Sequence, residues 1–291
     1  MKYEGPIYRP PSEADSVLIQ ATVGCPHNKC TFCMVYKDGI RFKIRKVSEI
    51  KEDILEARDI YGKSIRKIFF PAGNTIAMKT DDLCEICSFA KNTFPNLERI
   101  TVYGSSQYIH QKGIEELKRL SKAGLSRIHV GLESGDDEIL KLIKKGTNSS
   151  QQIEAGKWVM EAGIELSLYV ILGIGGKERT RSHAFETARV LNDISPDFIR
   201  LRTFVPKINT PLLSDVENGR FKMLGPHEVL KEIRLMIKKL YAISYLTSDH
   251  YTNYINLEGQ LQEEKTKFLD QIDYALKRDE KSFRKFFVGN V

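Results

Sequence analysis

A regular alternation of short β-rich runs with longer amphipathic runs constrains this fold most strongly. The strand-like runs cover residues 16–22, 65–70, 99–103, 126–132, 165–172 and 198–204. Apolar residues at helical spacing fill the intervals, over residues 48–61, 80–94, 113–122, 136–145, 149–161, 181–192 and 226–241. Strands that alternate with helices form parallel sheets with right-handed crossovers. The pattern predicts an α/β fold, a partial (β/α)6 TIM-like barrel with fewer units than a complete (β/α)8 barrel.

The composition is typical of a globular protein. The 291 residues are 41% hydrophobic and 29% charged, which supports a buried core and excludes a disordered chain. Residues 1–244 are predicted as the barrel core and 245–291 as a helical C-terminal extension. No apolar run is long enough for a membrane helix, and the first residues lack signal-peptide features. We therefore expect a cytoplasmic protein with no membrane partner.

Three cysteines lie in a loop directly after the first predicted strand. Cys25, Cys30 and Cys33 form a C-x4-C-x2-C pattern, at the strand end where parallel α/β folds place their chemistry. Three thiolates without a fourth favour a [4Fe–4S] cluster with one iron left open, and zinc with a further ligand is the alternative. The remaining cysteines, Cys84 and Cys87, are interpreted as buried side chains of a helix.

With Phe32 directly before the last cysteine, this loop resembles the C-x3-C-x2-C signature of the radical S-adenosylmethionine (SAM) superfamily. The resemblance is to its Elp3/MiaB/NifB-like (coproporphyrinogen-dehydrogenase-like) branch, and the first gap here is one residue longer. It implies that Cys25, Cys30 and Cys33 hold a [4Fe–4S] cluster and that SAM binds the open iron. Reductive cleavage of SAM would then give a 5′-deoxyadenosyl radical, with the electron supplied by a low-potential reductant of flavodoxin or ferredoxin type.

Residues after later strands extend the resemblance. Gly73 and Asn74 stand where the family has a turn for the SAM amino group, and Glu133 stands where a carboxylate accepts from the ribose hydroxyls. Lys145 occupies the spacing of an arginine that binds the SAM carboxylate. Gly173 lies in a glycine-rich segment of the kind found beside adenine. Together with Phe32, these residues are the predicted SAM contacts.

The substrate is not specified by these patterns, and no catalytic residue acting on it is assigned. A net charge of +7 favours anionic partners, either a small molecule or tRNA. Arg200 and Arg202 alternate on the sixth strand, where they could bind an anionic substrate or form salt bridges. The segment from Asp249 through His250 to Asn253 could reach the strand ends, or simply begin a helix.

Two other functions remain open from the sequence. One is a metal-bearing nucleic-acid-binding module without catalysis, which predicts no SAM binding and steep salt dependence. The other is an electron carrier, which predicts a cluster indifferent to SAM. His129 and His183 have no partners at metal-ligand spacing and are interpreted as structural.

Overall fold

The computed structural model describes residues 1–37 and 39–289. The strands are Val17–Leu18 (β1), Thr22–Val23 (β2), Lys43–Ile44 (β3), Lys67–Phe70 (β4), Arg99–Gly104 (β5), Arg127–Glu133 (β6), Glu165–Leu172 (β7), Phe198–Thr203 (β8), Tyr245–Thr247 (β9) and Glu258–Gln260 (β10). The helices are Val47–Tyr61 (α1), Thr80–Thr93 (α2), Ser106–Ala123 (α3), Asp137–Leu142 (α4), Ser149–Glu161 (α5), Gly176–Ile194 (α6), Pro211–Glu217 (α7), Pro226–Lys239 (α8) and Leu261–Leu276 (α9).

The chain divides into two compact units. The first comprises Met1–Asn28, Val35–Val130 and Lys157–Leu166, and the second comprises Lys29–Met34, Gly131–Gly156 and Ser167–Val291. Both units contain parallel strands joined through helices, so the α/β expectation is confirmed.

In the first unit, parallel pairing runs from β1 to β4, from β4 to β5 and from β5 to β6. A separate antiparallel pair joins β2 and β3. Ile68, Phe69 and Phe70 of β4 are fully buried. Because both faces of this strand are covered, its residues are apolar in succession rather than in alternation. Asp81 and Asp82 in the first turn of α2 suit the positive end of the helix dipole.

In the second unit, β7, β8 and β9 pair in parallel, and β10 pairs antiparallel with β9. Asp136 caps α4, because its carboxylate accepts from the backbone N–H groups of Glu138 and Ile139. Behind it lies a hydrophobic cluster that α4 shares with the chain after β7 and β8, formed by Ile139, Leu140, Ile143, Ile174, Phe204, Leu212 and Phe221.

The structure differs from the sequence expectation at several elements. The first predicted strand is two short strands, β1 and β2, and α3 begins at Ser106, with a non-helical Gly113 (φ 76°) where the predicted helix began. The helix α7 was not predicted.

The predicted helical extension also contains β9 and β10, and β9 continues the sheet beside β8. Its last two residues lie outside the described part, and the domain boundary itself stays a prediction. Within residues 1–37 and 39–289, no helix combines the length and apolarity needed to cross a membrane.

Candidate functional site

The cysteine loop begins in the first unit. Cys25 follows β2 after Gly24, whose φ of 73° is a conformation that glycine adopts without strain. Burial raises the pKa of Tyr108, and the negative charge of the ionised Cys25 thiolate raises it further. Tyr108, which the sequence analysis did not single out, therefore lies in the electrostatic surroundings of Cys25.

The turn after β4 packs directly on Cys25. The N–H of Gly73 donates to the carbonyl oxygen of Gly24 over 3.1 Å. A Cβ at Gly73 would lie 2.7 Å from that oxygen, 2.7 Å from the Tyr36 ring and 2.8 Å from the Cys25 Cβ. Because real side chains do not approach so closely, only glycine fits this position. Its neighbour Ala72 has a φ of 87°, an uncommon conformation for a residue with a side chain.

Asn74 carries an unused buried acceptor in the same turn. The residue is 1% exposed, and its Nδ2 donates to the Ser105 Oγ over 3.0 Å. Its Oδ1 is buried and accepts no hydrogen bond from any residue in the described ranges. A buried acceptor without a partner costs about 1–3 kcal/mol, so a donor brought by a ligand would recover that free energy.

The rest of the cysteine loop belongs to the second unit. The N–H of Thr31, between Cys30 and Cys33, donates to the Ile143 carbonyl over 3.0 Å, and its own carbonyl accepts from the N–H of Leu212 over 3.0 Å. Phe32 packs, partly buried, against the hydrophobic cluster behind α4. The segment is therefore held by backbone hydrogen bonds on one side and by an apolar anchor on the other.

None of the five cysteines, all of which lie in the described ranges, forms a disulfide bond. Among the described residues, no three His, Cys, Asp or Glu side chains are grouped closely enough to hold a metal ion. Cys87 of α2 is fully buried, which raises the pKa of its thiol, and Cys84 is half-buried. These two cysteines thus lie as ordinary helix side chains, in agreement with their interpretation.

Glu133 and Lys145, both predicted SAM contacts, form an ion pair with each other. The Lys145 Nζ lies 2.7 Å from the Glu133 Oε1, and each side chain is 10% exposed. Glu133 ends β6 with a φ of 64°, which turns its side chain back over Gly131. A Cβ at Gly131 would collide with the Glu133 carboxylate, so glycine makes room for the pair.

A buried carboxylate that the sequence analysis missed supports two of the predicted SAM-binding turns. Glu232 of α8 is 2% exposed, and its Oε1 accepts from the N–H of Gly173 over 2.7 Å. The same oxygen lies 3.1 Å from the His183 Nδ1, and the His183 Nε2 lies 3.3 Å from the carbonyl oxygen of Glu133. Burial opposes protonation of His183, but the charge of Glu232 and the hydrogen bonds with Glu232 and the Glu133 carbonyl together outweigh it and raise the pKa. One carboxylate thus contacts the Gly173 turn directly and the Glu133 turn through histidine.

The sequence contained a signal for Glu232. It lies among Val229, Ile233 and Met236 on the apolar face of α8, where an unpaired carboxylate would be costly. A charged residue on such a face predicts a buried partner. His183 is structural, as interpreted, but Glu232 was not recognised as its partner.

The strand-end residues predicted for the substrate also lie in the second unit. The Arg200 Nε donates to the Ser167 Oγ over 2.9 Å. Asn253 bonds the end of β8, because its Nδ2 donates to the Leu201 carbonyl and its Oδ1 accepts from the Thr203 Oγ1. No helix begins in this segment. Of the two expected alternatives, contact with the strand ends and the start of a helix, Asn253 shows the first.

Comparison with known proteins defines the class to which this fold and these residues belong. The profile of the radical SAM superfamily matches residues 19–190, and the chain belongs to that superfamily. Membership confirms the expectation of an enzyme that uses a [4Fe–4S] cluster and SAM.

Individual relatives agree with the expected branch. The chain is 27% identical over 214 residues to a tRNA-2-methylthio-N(6)-dimethylallyladenosine synthase of Dehalococcoides mccartyi, covering 72% of this chain and 49% of that protein. The chain thus spans about half the length of this curated relative.

Solved structures support the fold. Methylornithine synthase superposes with a TM-score of 0.54 and 19% identity, over 77% of this chain and 63% of that one. The Elp3 of Methanocaldococcus infernus superposes with a TM-score of 0.53 and 16% identity, over 79% and 60%. These likenesses confirm the α/β fold of radical SAM enzymes, with its partial TIM-like barrel.

Proposed function

We propose that this chain is a radical SAM enzyme in which Cys25, Cys30 and Cys33 hold the cluster and a small molecule is the substrate. When bound, the [4Fe–4S] cluster and SAM together supply a 5′-deoxyadenosyl radical by one-electron cleavage of SAM. A low-potential reductant of flavodoxin or ferredoxin type provides the electron. The protein's own residues bind SAM, orient it and exclude water.

The observation that carries this proposal is the turn beside Cys25. Asn74 offers a buried oxygen with no donor among the described residues, which suits the ammonium group of SAM. Gly73 lets the backbone of this turn approach the cysteine loop to within hydrogen-bonding distance. An acceptor held unused beside a free cysteine fits a ligand that brings both an amino group and a metal contact.

Glu133 and Lys145 have a divided role in this proposal. We infer that Glu133 accepts from the ribose hydroxyls, because a carboxylate retains acceptor sites after one oxygen binds a lysine. Lys145 donates to the Glu133 Oε1 and orients that carboxylate, so it acts on SAM mainly through Glu133. Its binding of the SAM carboxylate, expected from the resemblance, stays a prediction.

Phe32 and Gly173 complete the proposed SAM contacts. The apolar anchor of Phe32 fixes the loop between Cys30 and Cys33. Gly173 has a φ of 78°, and its N–H is already occupied by Glu232, so its contribution is a bare backbone surface beside the adenine.

A transfer RNA is the second candidate substrate. It is favoured by the similarity to a tRNA-modifying synthase, of which this chain covers 49%. Because much of that relative has no counterpart in the matched region, its substrate does not carry over directly.

The test is electron paramagnetic resonance on anaerobically reconstituted and reduced protein, with and without SAM, together with an assay for 5′-deoxyadenosine. The wild type is expected to give a cluster signal that shifts with SAM. Cys30→Ala is expected to lose the signal, whereas Cys84→Ala, which also removes one thiol, is expected to keep it. A cluster indifferent to SAM would indicate an electron carrier, and zinc without a signal would indicate a nucleic-acid-binding module.

A second variant tests the turn rather than the ligands. Gly73→Ala drives a methyl group into the Gly24 carbonyl and the Cys25 side chain, so we expect loss of most bound iron and SAM cleavage. Ala72→Gly, in the same turn, relieves an unfavourable φ and is expected to keep its iron. Equal iron content in the two variants would contradict the proposed role of this turn.

A further inference from the structure

The end of β8 carries an arginine whose charge no described carboxylate balances. The Arg202 guanidinium lies 4.7 Å from the centre of the Tyr169 ring, on the neighbouring strand β7. Arg202 has no ion-pair partner in residues 1–37 and 39–289. Arg200, two residues earlier, is instead bound to Ser167 and lies over Phe198. Only the arginine nearer the strand end is therefore left for a ligand.

The loop after β9 brings a histidine to the same strand end. Asn253 fixes this loop, because its side chain bonds the Leu201 carbonyl and the Thr203 Oγ1, on either side of Arg202. The His250 Nδ1 lies 2.7 Å from the Thr252 Oγ1, which sets the orientation of its ring. The hydrogen bonds of Asn253 and Thr252 therefore place His250 in the electrostatic surroundings of Arg202.

Electrostatics agrees with this arrangement. Burial lowers the pKa of His250 most, and the charge of Arg202 lowers it further; Asp249 opposes them, Lys207 adds a smaller lowering, and the resulting pKa is about 4. Burial and Arg202 also lower the pKa of Lys207. A nearby positive charge disfavours protonation of a basic group, and a bound anion offsets that effect. The three side chains therefore form one cluster at the carboxyl end of β8, in which Arg202 and Lys207 are the basic groups and His250 is neutral at ordinary pH.

We propose that Arg202, Lys207 and His250 bind an anionic group, a carboxylate or a phosphate, of the small-molecule substrate. This inference rests on the proposed function, because it assigns the cluster to the substrate of that reaction. The Tyr169 ring beneath Arg202 holds the guanidinium plane, which leaves its N–H edge for two parallel hydrogen bonds to an anion.

The cluster favours a small molecule over a nucleic acid. It is half-buried at one strand end, whereas a phosphodiester backbone is bound by charges spread along a surface. The carboxyl ends of parallel strands are also where folds of this class bind their substrates. A single anionic group matches the size of this cluster.

The binding test uses inorganic phosphate and succinate as probes, titrated by calorimetry into the reconstituted holoenzyme. We expect at least one probe to bind the wild type, and the preference between them to distinguish phosphate from carboxylate chemistry. Arg202→Gln is expected to weaken that binding about tenfold to hundredfold, because charge-assisted hydrogen bonds are lost. Lys238→Gln, which removes one exposed positive charge from α8, is expected to bind as the wild type does.

A spectroscopic readout guards against a variant that merely misfolds. The NMR titration of His250, assigned with His250→Gln, should show its pKa rising when the anion binds, and also rising in Arg202→Gln without anion. Equal probe binding in Arg202→Gln and Lys238→Gln would overturn the inference, as would tRNA binding that depends on Arg202 while neither probe binds. SAM cleavage by the wild type, assayed on the same preparation, tests the proposed function separately.

Discussion

Each compact unit buries a glutamate–histidine pair, and the two pairs balance their charges differently. In the first unit, the Glu13 Oε1 lies 3.1 Å from the His129 Nε2 and 3.1 Å from the Arg127 Nη1. In the second unit, Glu232 lies 3.1 Å from His183, which is its ionic partner within the described chain. One carboxylate is therefore neutralised by a permanent charge, the other by a titratable one.

The pKa values express this difference. Burial alone would raise the pKa of Glu13, but hydrogen bonds with His129 and Ser16 and the charge of Arg99 outweigh it and lower the pKa to about 2. In the second pair, the shifted group is the histidine, and its pKa is raised. A guanidinium holds a carboxylate ionised at any ordinary pH, whereas a histidine does so only while it is protonated.

The largest expected effect comes from removing the first carboxylate. Glu13→Gln removes a fully buried charge that pairs with Arg127, which keeps its second ion pair with Glu165, so we expect the free energy of unfolding to fall by about 3–5 kcal/mol. Urea unfolding at pH 7 measures this loss. The control is Glu98→Gln, which removes an exposed carboxylate paired with Arg66 and is expected to change nothing measurable. Equal stability of the two variants would contradict a structural role for Glu13.

The two pairs should also lose their contributions to stability at opposite ends of the pH scale. The lowered pKa of Glu13 gives stability that is present above about pH 4.5 and lost as the pH falls towards about 2. The raised pKa of His183 gives stability that is present below about pH 6.5 and lost as the pH rises through the folded-state value.

Unfolding curves from pH 3 to pH 9 compare these windows. We expect Glu13→Gln to flatten the acid limb of the stability profile and His183→Gln to flatten the alkaline limb. Each variant serves as the control for the other. A single variant that flattens both limbs would show that the two pairs are not independent.

The second pair is also expected to affect SAM binding, by a smaller amount. Glu232→Gln can still accept from the N–H of Gly173 but loses its charge on His183, which contacts the Glu133 turn. We expect the Kd for SAM to rise by about threefold to tenfold, equivalent to about one hydrogen bond. Glu217→Gln, at an exposed position of α7, should bind SAM normally. Unchanged affinity in Glu232→Gln would limit this pair to stability.

Local patterns predicted the elements that depend on short-range periodicity. The helix predicted over residues 80–94 is α2, and the strand predicted over 165–172 is β7. The first strand was predicted too long, because the apolar run through Ile19 and Ala21 reflects burial rather than continuous pairing. Kinks such as Gly113 follow from backbone conformation, which apolar spacing does not encode.

Some residues of the candidate site could be recognised from the sequence, and others only from the folded structure. The glycines and acids after the strands were singled out by their resemblance to family motifs, which local spacing reveals, and their roles as SAM contacts stay predictions. Glu13 was missed because its partners Thr101 and Arg127 lie 88 and 114 residues away, so only the folded chain buries it. The pairing of Lys145 with Glu133 was missed because the sequence analysis assigned each of them to a ligand rather than to the other.

The backbone hydrogen bonds of Thr31 bear on how the proposed cluster would bind. Its two backbone hydrogen bonds, with Ile143 and Leu212, join main-chain groups and use no cysteine side chain. A segment fixed by such bonds loses little conformational entropy if Cys30 and Cys33 bind the cluster as proposed, so that cost does not oppose cluster binding. Repeated removal and restoration of the cluster should therefore leave this segment in the same folded conformation.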